Sequence, residues 1–195
     1  MHITRSALTA MLAVLIAAAF ISDAVASPWY IGFGAGSGAA RGDGTVFFDE
    51  GADTIALPLV LNFGAGVSLS RRAHLGFDYI SFSHFARVRM PGAEETKVLS
   101  IDDFYAALLI FPSGERFFVK LAAGLTYLGD WDYDFFGSTA DFYAGPGATA
   151  GAGAFFPLAG NMRLGVHAEY SYHRYTGGPF SRSDMAVLYL SLYWF

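Results

Sequence analysis

The sequence of 195 residues has no cysteine, few charged residues and, after its N-terminal segment, no long hydrophobic run. The absence of cysteine excludes disulfide bonds, which many small exported domains use as staples. Charged residues make up 15% of the chain, whereas ordinary soluble domains contain about 25%. Beyond the N-terminal segment, no stretch reaches the ~20 consecutive apolar residues that a membrane-spanning helix needs. A disulfide scaffold and a helical membrane protein are therefore both excluded, and an ordinary soluble domain is disfavoured.

What the chain does contain is apolar and aromatic: 54% of its residues are hydrophobic and 17% are aromatic. A high apolar content without a spanning helix is typical of a membrane β-barrel, in which apolar residues alternate with small or polar ones. The net charge is −5, and no basic cluster is present. This balance argues against nucleic acid as a partner.

The N-terminus has the features of a secretory signal. Arg5 supplies positive charge, residues 8–21 form an apolar core, and Ala24-Val25-Ala26 is an A-x-A cleavage site. The alternative is a membrane anchor helix, which the short apolar run disfavours. We therefore expect a cleaved signal peptide at residues 1–26 and a single domain at 27–195.

The rest of the chain divides into eight predicted strands. They cover residues 28–38, 55–69, 74–84, 98–111, 117–129, 141–156, 162–173 and 184–195. The second, fifth and seventh alternate clearly between apolar and small or polar residues, as half-buried strands do. The fourth and eighth are apolar on both parities, so the pattern does not assign their faces. A soluble sandwich would have a polar outer face and a bulky inner face. Here the non-apolar parity is mostly small, which suits a narrow lumen.

The predicted connections alternate in length. The long ones cover residues 39–54, 85–97, 130–140 and 174–183, and the short ones cover 70–73, 112–116 and 157–161. Short periplasmic turns and long extracellular loops are typical of outer-membrane barrels. The sequence therefore predicts an all-β fold, an eight-stranded antiparallel up-and-down transmembrane β-barrel. Side chains fill the lumen of a barrel of this size.

Three segments carry a resemblance to a known family. They are PWYIGFGAG at residues 28–36, GVHAEYSY at 165–172 and the final YLSLYWF at 189–195. The chain resembles the small outer-membrane β-barrel family that includes the transmembrane domain of outer membrane protein A and proteins of the outer membrane protein X type. The resemblance covers residues 28–195 and implies a place in the outer membrane of a Gram-negative envelope. It also implies that Tyr193 and Phe195 form the C-terminal signal that the barrel-assembly machinery recognises. It does not specify an activity, because one barrel scaffold serves many functions.

Charged residues at strand positions that are expected to face the lumen form the first candidate site. Lys120, Arg163 and Glu169 lie at such positions, and Asp78 is expected to join them. Charges in a dry interior are costly unless they are paired, so we expect a salt-bridged plug. The functional alternative is a narrow ion path lined by these groups.

An acidic run follows the fifth strand. Asp130, Asp132, Asp134 and Asp141 stand at spacings similar to those of a calcium loop, but Phe135 occupies the position that usually requires glycine. We favour a continued strand in which Trp131, Tyr133 and Phe135 form part of an aromatic girdle. No metal ligand and no cofactor is predicted.

His167, Ser171 and His173 are the candidates for catalysis. Some eight-stranded barrels modify lipid A, and the deacylase among them uses a His and a nearby Ser on the outer wall. Here no Ser lies two residues after His173, and both His167 and Ser171 take the inward parity. A hydrolase needs its nucleophile and base within hydrogen-bond reach, and nothing in the spacing indicates this. We predict no enzyme and no catalytic residue.

Loop residues are the last candidates. The first long loop contains Phe47, Phe48, Asp49 and Glu50, and the second contains Phe85, Arg87, Arg89 and Met90. Such residues bind partners or rest on lipid headgroups, and we favour the second.

The expected protein is a monomer whose partners are outer-membrane lipid, lipopolysaccharide and, during insertion, the assembly machinery. Its expected role is envelope integrity or surface interaction. The alternatives are a porin-like pore for small solutes or ions and, third, a lipid A-modifying enzyme.

Overall fold

The computed structural model describes residues 29–43, 45–46, 53–54, 57–90, 93–114, 116–134, 137–177 and 180–195. Side chains are described throughout these ranges except at 45–46, 53–54, 87–90, 93–96, 130–134 and 137–140. The predicted signal peptide lies outside the described residues. Within the described part of the chain, no helix is long and apolar enough to cross a membrane.

Eight long strands form one closed sheet. They are β1 (Trp29–Gly42), β2 (Leu59–Ser70), β3 (Ala73–Met90), β4 (Ala93–Ile110), β5 (Phe117–Asp134), β6 (Gly137–Ala159), β7 (Met162–Arg174) and β8 (Arg182–Trp194). Two short strands add to the rim: Thr45–Val46 pairs with β1, and Asp53–Thr54 pairs with β3. Each long strand pairs antiparallel with the next in the chain.

The ring closes between the first strand and the last. β8 pairs with β1 from Trp194 opposite Ile31 to Ser183 opposite Gly42. The predicted eight-stranded up-and-down barrel is therefore confirmed.

Two of the predicted long loops are wrong. Residues 85–97 and 130–140 are mostly strand, because β3 pairs with β4 as far as Met90 opposite Ala93, and β5 pairs with β6 as far as Asp134 opposite Gly137. An 18-residue strand is about 60 Å long, whereas the apolar band of such barrels is only about 25 Å tall. Beyond that band the outer face of a strand no longer has to be apolar. The backbone ladder then continues without apolar alternation, and the sequence looks like a loop.

The outer wall is apolar. Leu59, Leu121 and Tyr170 all point outward, as the alternation in β2, β5 and β7 predicts. The structure also assigns the strands that the pattern left open. On β8, Leu188 is 60% exposed on the outer wall, whereas its neighbour Tyr189 is 1% exposed in the lumen.

The lumen is packed with side chains in two apolar layers. The layer nearer the chain termini contains Tyr30, Tyr105, Leu109, Phe111, Phe118, Phe155 and Tyr193. The other contains Val60, Ile80, Phe82, Leu99, Ile101, Leu128, Tyr175, Met185, Val187 and Tyr189.

Glycines on β1 make room for the large rings of β8. A Cβ atom on Gly32 would lie 2.6 Å from the Tyr193 ring, and one on Gly34 would lie 2.8 Å from the Tyr189 ring. Small residues on one strand thus accommodate bulky residues on its neighbour, which a narrow barrel requires.

Candidate functional site in the lumen

Lys120 is at the centre of the charged site. It stands on β5 between Leu109 of β4 and Gly151 of β6, and alternation along β5 directs it inward. Its side chain is 2% exposed. Its Nζ lies 2.5 Å from Asp78 Oδ2 and 2.7 Å from each carboxylate oxygen of Glu169. Asp78 is on β3 and Glu169 is on β7, so the contacts cross the lumen. We call these three residues the lumen triad.

Neutral groups donate hydrogen bonds to both acids of the triad. Asn62 Nδ2 donates a hydrogen bond of 2.9 Å to Asp78 Oδ1, and the Tyr189 hydroxyl donates to Glu169 Oε1. The Tyr189 ring stacks on His167, with their centroids 4.4 Å apart. The triad carries a net charge of −1 when both acids are ionised. These donors compensate in part for the lost hydration of the carboxylates.

Arg163 does not join the triad. Its guanidinium carbon lies 4.7 Å from the centroid of the Phe195 ring, at the barrel end that holds the termini. Arg163 and Glu169 are six residues apart on β7, which corresponds to about 20 Å along the strand. The structure therefore brings together three of the four predicted charges and places the fourth at the rim.

A second polar cluster joins the candidate His173 to two residues that the sequence did not indicate. His173 Nδ1 lies 2.8 Å from Ser183 Oγ, His173 Nε2 lies 3.2 Å from Asp103 Oδ2, and the Tyr175 hydroxyl lies 2.8 Å from the same Ser183 oxygen. Asp103 is on β4, whose face the pattern did not assign, and Ser183 falls in a predicted loop. No local signal therefore pointed to either residue.

The chemistry of this cluster is limited by burial. Ser, His and Asp side chains in contact resemble a hydrolase triad, but Asp103, His173 and Ser183 are each 0% exposed. A serine nucleophile must reach its substrate, and these groups are enclosed by the barrel wall. His167 is also inside and contacts Ser191 at 2.7 Å. In the described ranges, no group of three or more His, Asp or Glu side chains has the arrangement of a metal site.

The aromatic residues of the predicted signal point into the barrel. Tyr193 is 3% exposed, and its ring stacks on Tyr30 and Phe195 with centroids 5.9 Å away in each case. The Phe195 amide donates a hydrogen bond of 3.1 Å to the Asn161 carbonyl. Leu192 and Trp194 are the residues that face outward at this end.

The remaining predicted residues lie in β3, in β5 or outside the described part of the chain. Phe135 and residues 47–50 lie outside the described residues, and so do the side chains of Trp131 and Tyr133, although the backbone of both is in β5. Phe85 and residues 87–90 belong to β3 and not to a loop. The girdle therefore stays a prediction.

Solved structures with a similar fold are small outer-membrane barrels. Ail, the attachment invasion locus protein of Yersinia pestis, in complex with the heparin analogue sucrose octasulfate, gives a TM-score of 0.61 at 11% identity. The match covers 87% of this chain and 100% of that one. Neisserial surface protein A (NspA) gives 0.54 at 13% identity, covering 85% and 96%. No protein-family model and no curated protein sequence matches. The chain therefore has the fold of the small eight-stranded outer-membrane β-barrels.

Proposed function

We propose that the protein is an integral outer-membrane protein, exported through a signal peptide at residues 1–26, with a closed lumen and a structural or surface-contact role. The apolar outer wall supports membrane insertion. The ends of β1 and β8 that hold the termini lie at one rim, which we assign to the periplasm. Closure of β8 on β1 pairs both edges of the sheet, so the monomer needs no partner strand.

The lumen triad is the observation that carries this proposal. Lys120 bonds to carboxylates on two other strands, and apolar layers lie on both sides of it. A pore needs a continuous wet path, and a conducted ion must leave its binding groups readily. Charges that are paired with each other and shielded from water on both sides serve instead to hold β3, β5 and β7 in register. The closed lumen leaves the outer wall and the extracellular rim as the surfaces for interaction.

Electrical recording tests the closed lumen against the porin-like alternative. The refolded protein, reconstituted in a planar bilayer, should give no reproducible conductance steps. The matched variants are Glu169→Gln in the lumen and Asp184→Asn on the outer wall of the neighbouring strand. Steps in the wild-type protein that change in size or selectivity with Glu169→Gln, but not with Asp184→Asn, would contradict the proposal and favour a pore.

We further propose that Tyr193 and Phe195 contribute to recognition by the assembly machinery. Their side chains pack inside the finished barrel, so this recognition must act on the strand before it closes. The lipid partner proposed for the finished protein is lipopolysaccharide in the outer leaflet.

A further inference from the structure

A groove of about 1100 Å³ crosses the outer wall from β3 to β7. Its floor is a row of outward alanines in register, with Ala106 opposite Ala123 and Ala123 opposite Ala148. Phe77 ends the row on β3, and Tyr172 ends it on β7. Four strand spacings separate the two ends, which corresponds to about 19 Å. Because the strands of such barrels are tilted, the row climbs the wall from the β3 side to the β7 side.

Large residues form the two sides of the groove. Leu108, Leu121 and Tyr170 stand in the row below the alanines, and Phe104 and Leu125 stand in the row above. All alternate with lumen-facing neighbours, and all except Leu108, which is 7% exposed, are exposed on the outer wall. The depth of the groove therefore comes from the short alanine side chains. A gap of this size at a protein surface loses contacts unless a partner of matching shape fills it. The narrow, apolar shape of the groove fits a long, flexible apolar chain.

The upper end of the groove is cationic. Tyr172 stands opposite Asp184, and Asp184 stands opposite Arg41. In the next row, Arg174 stands opposite Arg182. The three arginines lie at the rim opposite the chain termini, where β7 ends and β8 begins.

Two aspartates neutralise only part of this charge. Arg41 Nε is 3.4 Å from Asp184 Oδ2, and Arg182 Nε is 3.6 Å from Asp43 Oδ1. Hydrogen bonds from Ser181 to Asp43 hold the pKa of that carboxyl below its usual value, so it stays charged. Arg174 has no acidic partner among the described side chains. Three arginines and two aspartates leave a net charge of +1, and the guanidinium group of Arg174 can bind two phosphate oxygens at once.

From this juxtaposition, we propose that the groove binds a phosphorylated glycolipid of the outer leaflet: an acyl chain lies along the alanine row, and Arg174 and Arg182 bind its phosphate. The assignment to the outer leaflet rests on the proposed outer-membrane location. In the outer leaflet, the phosphate groups of such a lipid lie at the height of the three arginines, and its acyl chains extend down the outer wall of the barrel. Arg174 stands two residues beyond Tyr172 on β7, so the arginines adjoin the upper end of the groove. The pairing of an apolar groove with a nearby cationic cluster distinguishes the site from general lipid contact.

Native mass spectrometry of the refolded, detergent-solubilised protein with diphosphoryl lipid A tests the proposal. Leucine in place of the central alanines, Ala123→Leu or Ala148→Leu, should weaken binding at least tenfold by filling the groove. Arg174→Gln should abolish the preference for diphosphoryl over dephosphorylated lipid A. The matched controls are Ala35→Leu, an outward alanine between Leu61 and Leu190 on another part of the wall, and Arg71→Gln in the turn at the opposite rim. Both controls should bind like the wild type.

The variants change only outward side chains, and heat-modifiable migration in gels confirms their folding. Wild-type affinity in both groove variants overturns the proposal, and so does an equal loss in Ala35→Leu, which would indicate general lipid contact. Equal affinity for phosphatidylglycerol, with the same dependence on Arg174, overturns the choice of a glycolipid. These outcomes are independent of the conductance result, so failure here leaves the closed lumen standing.

Discussion

Replacement of Lys120 by methionine tests the energetic role of the lumen triad. Methionine is of similar length and removes the only cation of the triad. Asp78 and Glu169 are then left buried, with one neutral donor each from Asn62 and Tyr189. The two acids must then either stay ionised without a counter-ion or become protonated.

The expected loss is large. Removal of one partner from a buried ion pair costs about 3–5 kcal/mol, because an uncompensated buried charge remains. Here Nζ contacts two carboxylates at 2.5 and 2.7 Å, and every side chain is at most 5% exposed. The comparison variant Arg41→Gln breaks the outer-wall pair with Asp184, in which the arginine side chain is 59% exposed. That change should cost no more than about 1 kcal/mol.

Urea unfolding in lipid vesicles, followed by tryptophan fluorescence, measures both values. A third variant combines Lys120→Met with Asp78→Asn and Glu169→Gln, which removes all three charges and keeps the shapes. It should recover at least half of the loss, since no unpaired charge remains. The reasoning is refuted if Lys120→Met lowers the free energy of unfolding by less than about 1 kcal/mol, or if the neutral triple variant is less stable than Lys120→Met alone.

Two further predictions concern the last strand. Leu188→Lys places a charge at the middle of β8 on the lipid side and should cost about 2–4 kcal/mol in the same unfolding assay, whereas Trp194→Lys at the strand end should cost about 0–1 kcal/mol. Equal costs at the two positions would contradict the assignment of Leu188 to the lipid-facing wall. Deletion of Phe195 should slow assembly in cells far more than removal of Gly177 from the loop between β7 and β8, measured as the fraction of heat-modifiable protein. Normal assembly without Phe195 would argue against the proposed C-terminal signal.

The fold was predictable because the barrel repeats one simple rule. In β2, β5 and β7, lipid-facing positions are apolar and most lumen positions are small or polar, so the alternation assigns the faces despite Val60, Phe118 and Leu128 in the lumen. The rule fails on β8, where Leu188 faces lipid and Tyr189 faces an apolar layer of the lumen. It fails again at the ends of β3 to β6 far from the chain termini, which extend beyond the apolar band and lose the alternation.

The candidate site was only half predictable. The alternation along a strand tells whether a side chain points into the lumen, but not how far along the barrel axis it lies. Lys120, Glu169 and Arg163 all point inward, yet the level along β7 separates Arg163 from the other two. The partnership of Asp78 with Lys120 crosses the lumen between strands that are not neighbours, so no local spacing encodes it. The groove could not be predicted from the sequence for a related reason. Ala106, Ala123 and Ala148 are ordinary alanines until the register of three strands aligns them.

The glycines on the inner face of β1 have a consequence for folding. Between Gly32 and Gly38 this strand brings no bulk into the lumen, and the space is filled by Tyr189 and Tyr193 from the other end of the chain. A seven-stranded intermediate therefore lacks both its seam and the rings that fill its interior, and Glu169 lacks the Tyr189 hydroxyl. Sealing the wall and completing the core are one event. It is the contact of longest sequence separation in the ring, so the final step of folding is expected to be slow and all-or-none.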